Sequence, residues 1–122
     1  MSKTVLLVED DKLVRESLAR TLTEKGLTVL EAADGKEGLE KALSGKVDLI
    51  MTDVIMPEVD GLTMLANLRE DSKGKEIPAI ILSNDEQTDS LNKAMEAGVT
   101  VYLSKATLDA EAITEQVLVA LG

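Results

Sequence analysis

Short apolar runs alternate with amphipathic stretches along the chain. Thr4-Val5-Leu6-Leu7-Val8 is continuous and rich in β-branched residues, which predicts a strand covered on both faces. Residues 12–25 carry Val14, Leu18, Ala19 and Leu22 on one helical face, and Gly26 supplies a C-terminal stop. Residues 28–32 read as a second strand. Asp34-Gly35 opens a helix with Leu39, Ala42 and Leu43, closed near Gly45. Residues 47–52 form a third strand that ends at Asp53, and a loop through Pro57 and Asp60-Gly61 leads to a helix with Leu62, Leu65 and Leu68. Residues 77–82 are strand four, 86–97 a helix stopped at Gly98, 99–103 strand five, and 109–121 a last helix with Ile113, Val117, Ala120 and Leu121 at helical spacing.

Strand and helix thus alternate five times. That order predicts an α/β, doubly wound domain over 1–122: a parallel sheet, right-handed crossovers and helices on both faces. In such sheets ligands bind beyond the carboxyl ends of the strands, where the strand order reverses. No apolar run reaches the ~20 residues that span a membrane, and the start, Met1-Ser2-Lys3-Thr4, lacks a signal-peptide core.

Composition removes whole classes of chemistry. The 122 residues include no Cys and no His, so thiol catalysis, cysteine metal sites, imidazole bases and Ser-His-Asp triads are excluded. The lack of cysteine also makes the cytoplasm the expected compartment. Tyr102 is the only aromatic residue and the formal net charge is −10; base stacking, DNA and anionic membranes are all disfavoured. Carboxylates, hydroxyls, lysines and bound metal remain.

Those groups gather at the predicted strand ends. Strand one runs into Glu9-Asp10-Asp11, strand three into Asp53, strand four into Ser83 and strand five into Ser104-Lys105. Carboxylates brought together repel and need neutralising, which a hard divalent cation does with oxygen ligands. Taken singly, Asp10 or Asp11 could instead cap the first helix, Lys105 could be a solvated lysine and Ser83 a turn residue. Their joint placement at four strand ends carries the argument.

Glu9-Asp10-Asp11, the segment Asp53-Val54-Ile55-Met56-Pro57-Glu58-Val59-Asp60-Gly61, Ser83 and Tyr102-Leu103-Ser104-Lys105 together resemble the receiver domain of two-component response regulators. The resemblance covers the whole chain in order. It implies the sheet order 2-1-3-4-5, with Asp53 the phosphoryl acceptor. Asp10 and Asp11 become the acids that organise Mg²⁺ (or Mn²⁺), Asp11 being the favoured direct ligand, and the backbone carbonyl of Ile55 adds another. Lys105 pairs with Asp53 and then with the phosphoryl oxygens, Ser83 hydrogen-bonds the phosphoryl group, and Tyr102 is the rotating aromatic of the switch. The implied donor is a phosphohistidine on a histidine kinase or phosphotransfer protein, and slow self-dephosphorylation resets the domain without turnover of a separate substrate.

The chain departs from the family pattern at Ala106, where proline is usual, at Asn84, where a small residue is usual, and at Asp85, which adds charge. With alanine at 106, a trans Lys105–Ala106 bond is expected, since cis costs roughly 2.5–4 kcal/mol without proline. The rivals fit less well. A haloacid-dehalogenase-type enzyme needs Asp-x-Asp after strand one, and a flavodoxin-like carrier needs a hydroxyl-rich loop there. A vestigial receiver acting only as an interaction module is the remaining alternative. Without an effector domain, output is expected through a downstream protein target. Segment 85–122 has seven acids against Lys93 and Lys105, and residues 109–121 contain no Lys or Arg. Two such faces repel across a two-fold axis. The expectation is a monomer, or a dimer through a surface other than the last two helices and the fifth strand, with a basic target.

Overall fold

The structure, a computed structural model, describes residues 2–54, 56, 59–83, 92, 94–106 and 108–122, without the side chain of Thr100. Five strands, β1 (Thr4–Val8), β2 (Thr28–Ala32), β3 (Leu49–Thr52), β4 (Ala79–Ser83) and β5 (Val99–Ser104), form one sheet of order β2-β1-β3-β4-β5. Every neighbouring pair is parallel. β1 and β3 are adjacent at the sheet centre, with Val5 opposite Leu49 and Val8 opposite Thr52. The order reverses there, so the crevice at their carboxyl ends is the expected ligand position.

Period-two alternation explains the continuous apolar runs. Val5 and Leu7 of β1, Leu49 and Met51 of β3, and Ile80 and Leu82 of β4 face one core. It is completed by Leu18, Ala19 and Leu22 from α1 (Lys12–Glu24) and by Ile113 and Val117 from the C-terminal helix (Ala110–Leu121). Leu6, Val8, Ile50 and Ile81 face the other core, built with Ala42 from α2 (Gly35–Ser44) and Met64, Leu65 and Leu68 from α3 (Gly61–Arg69). Ala94 joins that second core from a helical turn that includes residues 94–96. The rest of the helix expected over 86–97 lies largely outside the described residues, as do Asn84 and Asp85.

Aspartates open all four of these helices. The carboxylates of Asp11, Asp34, Asp60 and Asp109 accept backbone N–H bonds from Leu13 and Val14, Glu37, Thr63 and Ala112 respectively. Each satisfies donors that the helix leaves unpaired and places a negative charge at the positive end of its dipole, worth about 1 kcal/mol. At the other end of α1, Gly26 takes φ +89°, with Gly26 N–H bonded to the Thr23 carbonyl and Leu27 N–H to the Leu22 carbonyl. That is the left-handed stop expected of glycine. β3 starts two residues later than the apolar run suggests. Asp48 closes the approach by receiving the Thr4 N–H on its carboxylate at 2.7 Å.

Candidate functional site

The carboxyl end of β1 does not stop at Val8. Glu9 donates its N–H to the Ala32 carbonyl at 3.0 Å, so the chain stays extended for one more residue. Alternation then puts Glu9 on the side of Val5 and Leu7, where it is 1% exposed. The following residue, Asp10, is exposed. Asp53, directly after β3, is 7% exposed and donates its N–H to the Val8 carbonyl at 3.0 Å. One carboxylate oxygen from each of Glu9, Asp10 and Asp53 lies within 4.8 Å of the others.

Lys105 neutralises part of that charge. Ser104, its neighbour, pairs with Ser83 across β4 and β5, and Lys105 N–H reaches the Ser83 carbonyl at 3.2 Å. The ammonium then donates to Asp53 Oδ2 at 2.6 Å and to Glu9 Oε2 and Oε1 at 2.8 and 3.0 Å. The other Asp53 oxygen, Oδ1, receives the Val54 N–H at 2.6 Å. Burial alone would lower the Lys105 pKa; hydrogen bonds to Asp53 and Glu9, and their charges, outweigh it and raise the value above 10.5. Glu9 moves up from 4.5, chiefly through burial, against the Lys105 hydrogen bond and with the Asp53 charge adding to the rise. Three carboxylates facing one ammonium form a donor set suited to a hard divalent cation.

Expectation and structure part at the acidic run. Asp10 and Asp53 are in the cluster, but Asp11 is not: its Oδ1 caps α1, accepting from Leu13 at 3.0 Å and Val14 at 3.2 Å. Glu9 takes the place expected of Asp11, because α1 begins at Lys12 and makes Asp11 its cap. The signal was in the sequence: two steps beyond Leu7, Glu9 continues the inward side of β1. The expected carbonyl ligand from Ile55 lies outside the described residues. Ser83 is buried at the end of β4, and Tyr102, half-buried, packs on the α2–α3 core. Tyr102 pairs with Ile81, two residues before Ser83, so Ser83 and Tyr102 share a sheet face on adjacent strands. Lys105–Ala106 is trans, as expected without proline.

The family model described as the response regulator receiver domain matches residues 5–118. The chain belongs to that family. Receiver domains are phosphorylated on an aspartate in two-component signalling, bind Mg²⁺ at an acidic pocket and meet histidine kinases or phosphotransfer proteins. The response regulator MprA of Mycobacterium ulcerans is 40% identical over 105 residues, which cover 86% of this chain and 44% of that protein. This receiver domain thus spans less than half the length of the curated relatives it matches. Among solved structures, the chemotaxis response regulator CheY4 of Vibrio cholerae is similar with a TM-score of 0.89 and 29% identity, covering 100% of both chains. A CheY-like receiver domain protein from Methanospirillum hungatei has a TM-score of 0.91 over 99% of this chain and 94% of that one, and at 22% identity it speaks for the fold. Among the described residues of this receiver domain, no helix is long and apolar enough to cross a membrane.

Proposed function

We propose that Asp53 is the phosphoryl acceptor of this receiver domain. The observation that carries the reading is the convergence of Lys105 on the Asp53 and Glu9 carboxylates at the β1–β3 switch point. A carboxylate is a weak nucleophile, but phosphoryl transfer through a loose transition state depends mainly on positioning and charge neutralisation. Val54 N–H and Lys105 hold the two Asp53 oxygens and so fix its rotamer. A carboxylate oxygen attacks phosphorus, the P–N bond of a phosphohistidine breaks, and the imidazole leaves. Lys105 remains to meet the charge on the transferred group. Hydrolysis of the acyl phosphate later returns the carboxylate and inorganic phosphate, with no separate substrate consumed.

Glu9, Asp10 and Asp53 would hold Mg²⁺ or Mn²⁺, which when bound supplies positive charge to phosphoryl oxygens. After incubation with a small acyl-phosphate donor and Mg²⁺, the intact wild type is expected to gain the mass of one phosphoryl group. Asp53→Asn is expected to gain none. An equal adduct on both proteins excludes Asp53, and no adduct on either supports a vestigial receiver used only as an interaction module.

Readout is assigned to Ser83 and Tyr102. A phosphoryl group adds charge and acceptor oxygens; Ser83 turns toward it, and Tyr102, on the same sheet face, fills the space left behind. Tyr102→Ala is expected to keep phosphorylation while losing the difference in target affinity between the two states. Unchanged target binding by both forms of this variant would remove Tyr102 from the switch.

The downstream partner is assigned a basic patch. Among the described residues, the C-terminal helix presents exposed Glu111 and Glu115, with Lys25, just past the end of α1, meeting Glu111 at 3.7 Å. Light scattering after phosphorylation is expected to show no dimer through the C-terminal helix; one shown structurally to form there contradicts the assignment.

A further inference from the structure

Glu9 and Asp11 are each held by their own side chains, one by Lys105 and the other by the α1 cap. Asp10, between them, is not: its carboxylate has no hydrogen bond or ion pair among the described residues. Its direction therefore depends on the backbone that carries it, above all on the peptide plane joining Glu9 to Asp10. One side chain grips that plane. Arg15 Nη1 donates to the Glu9 carbonyl at 2.8 Å.

Arg15 is itself anchored. Its side chain is 17% exposed, and its Nε lies 3.3 Å from Glu31 Oε1 on β2. The Glu31 carbonyl in turn accepts a bond from Lys41 Nζ of α2, and Lys41 also lies 3.4 Å from Glu37. A polar chain thus runs from α2 through β2 and α1 to the carbonyl that precedes Asp10. None of the side chains that form it, Arg15, Glu31, Lys41 and Glu37, belongs to the acidic cluster.

We propose that Arg15, anchored on Glu31, is a positioning residue that aims Asp10 into the cation site and thereby sets its affinity for divalent metal. This rests on the cation reading given above. The geometry and simple electrostatics predict opposite signs. A guanidinium near a divalent cation repels it, so losing only its charge would tighten binding. Losing the grip on the Glu9 carbonyl lets Asp10 wander and weakens binding, as removal of outer-shell support does in metal sites generally.

The test uses Mn²⁺ alone, titrated calorimetrically into the full chain. Arg15→Met is expected to weaken Mn²⁺ binding about tenfold or more, and Arg15→Lys, which restores a donor and the charge, to recover part of the loss. Glu31→Gln, which loosens the anchor but leaves Arg15 in place, is expected to weaken it less, and adding it to Arg15→Met to change little more, since the two act on one contact. Amide exchange at Asp10 and Asp11 in the metal-free protein is expected to accelerate in Arg15→Met while exchange in β3 stays unchanged. Wild-type affinity or tighter binding in Arg15→Met overturns the inference. Failure of the wild type to bind Mn²⁺ overturns the cation reading itself, and the affinity claim with it. If Arg15→Met does not fold, Glu31→Gln decides: unchanged affinity and unchanged exchange at Asp10 overturn the inference.

Discussion

Lys105→Met is expected to cost the cation-free protein about 3–5 kcal/mol at neutral pH, the usual effect of stripping a buried charge of its partner. The lysine side chain is only 15% exposed and spans two carboxylates, one of them on a side chain that is 1% exposed. Without it, Glu9, Asp10 and Asp53 face one another with no cation among them. The pH dependence follows from the directions of the shifts. The contribution of Lys105 is complete below its ordinary 10.5 and is lost as pH rises through its raised folded value. Glu9, raised above 4.5, stabilises the fold when protonated, and that contribution is lost as pH rises through its folded value. Removing Lys105 takes away a partner that opposes the Glu9 rise, so the deficit should be small in mild acid and grow toward neutrality. Saturating Mg²⁺ should restore much of it, because a ligand that binds only the native state stabilises by mass action. Urea titrations in acid and neutral buffer, with and without Mg²⁺, measure all three effects. A deficit independent of pH and of Mg²⁺ would mean that Lys105 is not the counter-ion of the acidic cluster.

Gly61→Ala is expected to damage stability and phosphorylation together. Gly61 opens α3, and its N–H bonds the Val54 carbonyl at 2.9 Å, holding the start of α3 beside the end of β3. A methyl group there would stand 1.9 Å from the Asp53 carbonyl oxygen and 2.9 Å from Thr52 Oγ1. The obstacle is backbone, so no rotamer change relieves it. Overpacking of this kind costs about 1–3 kcal/mol, or more where backbone must shift. The atom pushed aside belongs to Asp53, the residue proposed above as the acceptor. The melting temperature should fall, and adduct formation should slow by more than the loss of folded protein explains. A variant with wild-type adduct kinetics would show that the Asp60-Gly61 turn does not position Asp53.

These two sites illustrate what the sequence made legible. The strands were readable because Val5 to Val8, Leu49 to Met51 and Ala79 to Leu82 are apolar on both sides, as a sheet covered on two faces requires. The turn at Asp60-Gly61, the stops at Gly26 and Gly98 and the strand-end positions of Asp53, Ser83 and Lys105 followed from local chemistry. The acidic run was harder. Three adjacent carboxylates share one chemical type, and only the register decides their roles: Glu9 extends the strand, Asp10 faces solvent and Asp11 caps the helix. Arg15 was invisible for a different reason. Its contact is with a backbone carbonyl, which no residue type advertises.

Chemical localisation of the phosphoryl group identifies the acceptor directly. Reductive cleavage of the adduct by borohydride converts a phosphorylated aspartate to homoserine, which marks the acceptor in a peptide digest. Homoserine is expected at position 53 alone, dependent on Mg²⁺. Homoserine at position 10 or 11, or an adduct that resists reduction because it sits on a hydroxyl such as Ser83, would contradict the assignment of Asp53 as the acceptor.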